Sequence, residues 1–197
     1  SGCTPLMADE TQWLPLHERE LAQVEAWRTF GMENTLYLCA PAGAGRKTLL
    51  RRACGHVVWA KPEELSYLSP LDQDHALREM AALATLSEAP ICAAPDPDRS
   101  VFRQLERLCR QYGIPLAALV EEDQALEGAK EVVRLPRQLS AEQRQAVWAA
   151  LVPQAGPDTA PKGAMTIGAM RETAVLALRT AAANQRQSVT VEDTRQA

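Results

Sequence analysis

Two rhythms of apolar residues alternate along the chain. Short, largely apolar runs stand at 35–39, 57–60, 91–94, 116–120 and 132–135, the length and character of strands buried on both faces. Between them apolar residues recur at helical spacing. Leu21, Val24 and Trp27 predict a helix over 17–30, stopped by Gly31. Helices are likewise predicted over 46–54, ended by Gly55, over 72–86, with Leu77, Met80, Ala81 and Ala84 on one face, and over 101–112, closed by Gly113. A helix over 140–151 opens on Ser140 with Gln143 three residues on, the spacing of a capping box. Strands alternating with helices in this way predict an α/β fold, a five-stranded parallel sheet with helices on both faces.

The pattern changes after residue 152. Pro153, Gly156, Pro157, Pro161 and Gly163 fall within eleven residues, the composition of a linker or exposed loop. An alanine-rich helix over 167–184 follows, then an extended stretch at 188–191, with Thr190 placed to cap a further helix. The expected organisation is therefore an α/β core over 1–152, a linker over 153–163 and a small helical lid over 164–197.

Composition narrows the reading. Across 197 residues the hydrophobic share is 46% and the net charge −4, which suits a packed core and argues against a nucleic-acid partner. Charges interrupt every apolar run well short of the roughly 18 residues a membrane helix needs. The five cysteines, Cys3, Cys39, Cys54, Cys92 and Cys109, are odd in number and show no C-x-x-C spacing. They read as reduced thiols of a cytoplasmic protein.

The candidate chemistry lies between the first strand and the second helix, in Ala40-Pro41-Ala42-Gly43-Ala44-Gly45-Arg46-Lys47-Thr48. Strand, glycine-bearing loop and helix start form the layout of a phosphate-binding loop, G-x-x-x-x-G-K-[ST]. The register is off by one. Ala40 stands for the first glycine, Arg46 fills the lysine slot, Lys47 the hydroxyl slot, and Thr48 comes one residue late. Gly43 and Gly45 keep a phosphate-cradling backbone possible. An arginine is not equivalent to the lysine that follows a phosphate as a point charge, and Lys47 cannot ligate Mg²⁺.

Two other strand ends also depart from phosphoryl-transfer chemistry. After the third strand, Pro95-Asp96-Pro97-Asp98 offers Asp96 as a candidate metal ligand but no glutamate. The better reading is that Asp96 and Asp98 start a turn and, with Ser100, cap the next helix. The fourth strand ends in Glu121, whose charge would repel a γ-phosphate. Trp27, Trp59 and Trp148 are expected at core edges.

Taken together, these motifs resemble an AAA+ ATPase module. Residues 40–47 align with the family loop G-P-P-G-x-G-K-T. Leu135-Pro136-Arg137 and the helix bearing Glu142 and Arg144 match the proline step and helix that follow the fifth strand. Gly168-Ala169-Met170-Arg171 matches the start of a lid helix. Within the family the chain is most similar to the degenerate first module of the tandem AAA+ proteins that accompany bacterial contractile injection systems. The resemblance implies ATP or ADP as ligand, held by residues 41–48, Pro41, Ala42, Gly43, Ala44, Gly45, Arg46, Lys47 and Thr48, with Arg171 reaching the γ-phosphate. It also implies other AAA+ modules of the same chain or ring as partners, and a protein substrate. The broken loop register argues against Mg²⁺ and against efficient hydrolysis. The alternative is a protein-docking module that binds no nucleotide.

Overall fold

The computed structural model describes residues 17–30, 33–121, 130–153 and 155–197. In chain order the elements are α1 (Glu18–Phe30), β1 (Leu36–Cys39), α2 (Arg46–Cys54), β2 (Val58–Ala60), α3 (Pro62–Leu65), α4 (Pro70–Leu86) and β3 (Ile91–Ala93). They continue with α5 (Ser100–Tyr112), β4 (Leu116–Val120), β5 (Glu131–Arg134), α6 (Ala141–Leu151), a 3-10 turn (Pro157–Thr159), α7 (Ile167–Ala183) and α8 (Val191–Gln196).

The strands form one sheet in the order β2-β3-β4-β1-β5, and every pairing is parallel. β1 lies between β4 and β5, so it is covered on both sides and both faces, as its unbroken apolar run predicts. Side chains alternate by face. Tyr37, Cys39, Ala118 and Val120 pack with Leu77, Ala81 and Ala84 of α4 and Phe102 and Leu105 of α5. Leu36, Leu38, Ala117 and Leu119 point to the other face and are buried as well, on the side where α1 and α2 pack together.

Local chemistry sets the helix ends. Ser69 caps α4 by accepting from the Asp72 N–H, with Pro70 in the first turn, so this helix begins two residues before the expected start at 72. Gly113 closes α5 in the left-handed region at φ 65°, a conformation that favours glycine. Ser140 and Gln143 form the expected capping box. The single turn α3, opened by Pro62, is too short to show a period in the sequence. Residues 188–191 are not all extended: Val191 already begins α8, capped by Thr190.

The chain divides into two compact units. One comprises His17–Pro41 and Arg46–Leu135, the sheet and its helices; the other joins Ala42–Gly45 to Pro136–Ala197. The boundary thus falls at Leu135/Pro136 rather than at 152/153, and α6 goes with the lid. The reason is its apolar face. Val147, Trp148 and Leu151 pack with Met170, Ala174, Ala177 and Ala181 of α7 and with Val189. The stretch expected to be a linker takes part in that packing, since the Trp148 indole N–H donates to Thr159 Oγ1 at 2.9 Å.

Candidate phosphate-binding site

In open parallel sheets ligands bind beyond the carboxyl ends of the strands, where successive connections leave in opposite directions. Here that point lies between β1 and β4. The chain leaves β1 toward β2 on one side, while β4 connects past β1 to β5 on the other. Residues 40–46 leave the carboxyl end of β1, which is the place a phosphate loop requires.

Within the sheet unit, the ends of β1 and β4 stay joined past the last ladder pair. The buried Ala40 donates its N–H to the Val120 carbonyl at 3.2 Å. Cys39 Sγ lies 3.7 Å from the Glu121 carbonyl and donates to it. Arg46, in the lysine slot, is half-buried, and its Nη1 donates to the same Val120 carbonyl at 2.5 Å. Burial pushes the Arg46 guanidinium's pKa down, and the Glu121 carboxylate offsets part of that. Lys47 is exposed, with its ammonium 5.4 Å from the centroid of the Trp59 ring. The Arg51 guanidinium lies at the same distance from that ring, so one half-buried tryptophan carries two cations. Thr48 is half-buried in the first turn of α2.

The Asp96 carboxylate, 2% exposed, is turned into the N-terminus of α5. It accepts from the Val101 N–H at 3.1 Å, the Phe102 N–H at 2.8 Å and Ser100 Oγ at 3.3 Å. Both oxygens satisfy donors that a helix start leaves unpaired. The carboxylate proposed as a metal ligand is thus a cap, the other role its sequence allows. Among the described residues no group of three or more His, Cys, Asp or Glu side chains is placed to hold a metal ion.

In the other unit, Gly43 and Gly45 adopt φ of +78° and +94°, a conformation that L side chains avoid. The Gly43 carbonyl accepts from the Gly168 N–H, in the first turn of α7, at 2.9 Å. A Cβ at Gly168 would lie 2.9 Å from Gly43 Cα, and one at Gly43 would lie 2.9 Å from Thr166 Oγ1. Thr166 caps α7 through the Ala169 N–H. Ala42 is exposed and Ala44 buried, while Pro41, half-buried, belongs to the sheet unit. Arg171 is exposed one turn after Gly168, on the same helix face, with its side chain tilted toward the helix start.

The structure therefore keeps Ala42–Gly45 with Gly168 and Arg171 in one unit and holds Arg46, Lys47 and Thr48 in the other. Backbone N–H groups of the glycine loop suit a phosphate. Within the sheet unit, Lys47 carries no oxygen ligand for a cation and the Asp96 carboxylate is engaged as a helix cap. The sequence reading missed the Val120 carbonyl as acceptor, the Thr166 cap and the Lys47–Trp59–Arg51 stack. Of these only Thr166 had a local signal, a hydroxyl three residues ahead of Ala169 at the start of a helix.

No protein-family model and no curated protein matches the sequence. Solved structures do match the fold, 199 chains in all. One is described as Drosophila ORC bound to DNA; it superposes with a TM-score of 0.61 at 13% identity, over 94% of this chain and 60% of the other. The chain thus spans about three-fifths of the length of that neighbour. Among the described residues no helix is long and apolar enough to cross a membrane. What the likeness establishes is the fold alone: a five-stranded parallel sheet with flanking helices, consistent with a P-loop NTPase-like fold.

Proposed function

We propose that this chain is a degenerate AAA+ ATPase-type domain that binds ATP or ADP with little or no hydrolysis. On this reading it serves as a regulatory or scaffolding module of a larger remodelling ATPase. The observation that carries it is the fate of the two cations in the loop: Arg46, in the lysine slot, is engaged with the Val120 carbonyl, and Lys47 lies over Trp59. Phosphoryl transfer depends on positioned charge and metal, and neither cation is placed to follow a γ-phosphate. The glycine loop and Arg171 are the groups left to hold a nucleotide. Its partners would be other AAA+ modules of the same chain or ring, as in the tandem proteins it resembles, acting on a protein substrate.

A second reading, a docking module that binds no nucleotide, draws support from the Gly43–Gly168 hydrogen bond, which gives the loop a partner from within its own unit. Titration calorimetry with ATP and ADP, with and without Mg²⁺, separates the two. Binding that does not depend on Mg²⁺ is the expected result. No heat at millimolar nucleotide would favour the docking module.

A further inference from the structure

The Val120 carbonyl, at the end of β4, accepts from both ends of the loop. Ala40, the first residue after β1, donates its N–H at 3.2 Å, and Arg46, the first residue of α2, donates Nη1 at 2.5 Å. One oxygen thus joins Ala40 and Arg46, the residues of the sheet unit at either end of the loop. Cys39 Sγ bonded to the Glu121 carbonyl carries the same seam one residue further. A lysine in this slot is a compact charge on a flexible stem, free to track a phosphate. The Arg46 guanidinium is half-buried and bonded to a backbone oxygen. Any phosphate that recruited it would strip Val120 of its charged donor and leave Ala40 alone on that carbonyl.

We propose that Arg46 is a latch: it ties both ends of the loop to Val120 and holds them without nucleotide, so that this module keeps one structure whether or not nucleotide is present. The inference rests on the reading of the loop as a degenerate nucleotide site. It adds that the arginine in the lysine slot has a structural task of its own. Arg46 acts as a positioning residue through Val120, and a scaffold in a nucleotide-driven machine gains from this because it does not loosen when its neighbours turn over.

The test is hydrogen exchange at the Ala40 amide, together with thermal unfolding, on the full chain with and without millimolar ADP. The variants are Arg46→Met, which keeps the stem and removes the donors, and Arg46→Lys, which puts an ammonium back in the slot. In the unsubstituted protein the Ala40 amide is expected to be equally protected in both conditions, with ADP raising the melting temperature only by the modest amount that binding to the glycine loop gives. Arg46→Met is expected to exchange Ala40 at least about tenfold faster. Arg46→Lys is expected to show an ADP-dependent rise in melting temperature larger than that of the unsubstituted protein, a response that a merely structural arginine would not produce. Unchanged Ala40 protection in Arg46→Met overturns the latch, and so does an ADP response in the unsubstituted protein as large as that of Arg46→Lys. If Arg46→Met does not fold, the other two proteins still decide. Failure of the parent reading would appear elsewhere, as no calorimetric heat with millimolar nucleotide or as steady-state phosphate release.

Discussion

Gly43 and Gly168 lie back to back, and the space between them excludes a methyl group on either. A Cβ added at Gly168 would meet Gly43 Cα at 2.9 Å and the Gly43 carbonyl oxygen at 3.1 Å. Both are backbone atoms that cannot swing aside. Gly168→Ala is therefore expected to lower stability by about 1–3 kcal/mol, the usual cost of forcing extra volume into a packed contact. Gly163, with nothing within 4 Å of its Cβ position, is the control, and Gly163→Ala is expected to be near neutral. Urea midpoints at unchanged slope measure both; equal midpoints for the two variants would sink the account. The glycine in Gly168-Ala169-Met170-Arg171 was legible as part of a lid motif. Its physical reason, the approach of another glycine more than a hundred positions away, was not.

At the scale of elements, caps explain more than periodicity does. α8 is short, and Thr190 and Asp193 hold its start in a reciprocal capping box. Asp193 is fully buried and also pairs with Arg186. Burial pushes the Asp193 carboxyl up, but the Thr190 N–H and hydroxyl and the Arg186 guanidinium outweigh it and hold the pKa below the ordinary carboxylate value. The sign follows from linkage. A depressed folded pKa contributes stability that is present above the unfolded value, near about 3.9, and is lost as pH falls through the folded one. Asp193→Asn is expected to cost roughly 1–2 kcal/mol near neutral pH, as a lost cap does, and to flatten the fall in stability below about pH 4. Urea midpoints taken from neutral to acid pH for both proteins test this; parallel curves would remove Asp193 from the explanation. The capping box at Ser140 could be read from residues three apart, and Thr190 as the cap of a further helix, though not the reciprocal bond from Asp193. The membership of α6 in the lid could not, because a proline-rich stretch marks a loop locally while the partner of a buried helix face is chosen over distance.

For the molecule as a whole, the strand order brings the ends of β1 and β4 together, and the question is whether that edge still performs chemistry. The loop lacks a lysine in register, a hydroxyl for Mg²⁺ and a free carboxylate after β3. Losing one transition-state arginine costs about 10³–10⁵ in rate in phosphoryl transfer, and losses within one catalytic unit do not simply add. The purified chain is expected to release phosphate at a negligible rate, and Lys47→Ala to change that rate little. Turnover near about 1 s⁻¹ that Lys47→Ala abolishes would show that the loop shifts register to bring Lys47 and Thr48 into place, and would overturn the degenerate reading.

Local rules carried much of this protein into its sequence. Buried strands announced themselves as apolar runs, helices as residues on one face, their ends as Gly113, Ser140 and Thr190. Even the departure of the loop from its motif was visible as Arg46-Lys47-Thr48. These features depend on residues within a few positions of one another, so a linear reading reaches them. Tertiary structure alone decided the strand order, the side of the boundary on which α6 falls, and the carbonyl that Arg46 finds. Each of those depends on which distant groups packing brings within about 3 Å, the reach of a hydrogen bond, and no spacing along the chain encodes that distance.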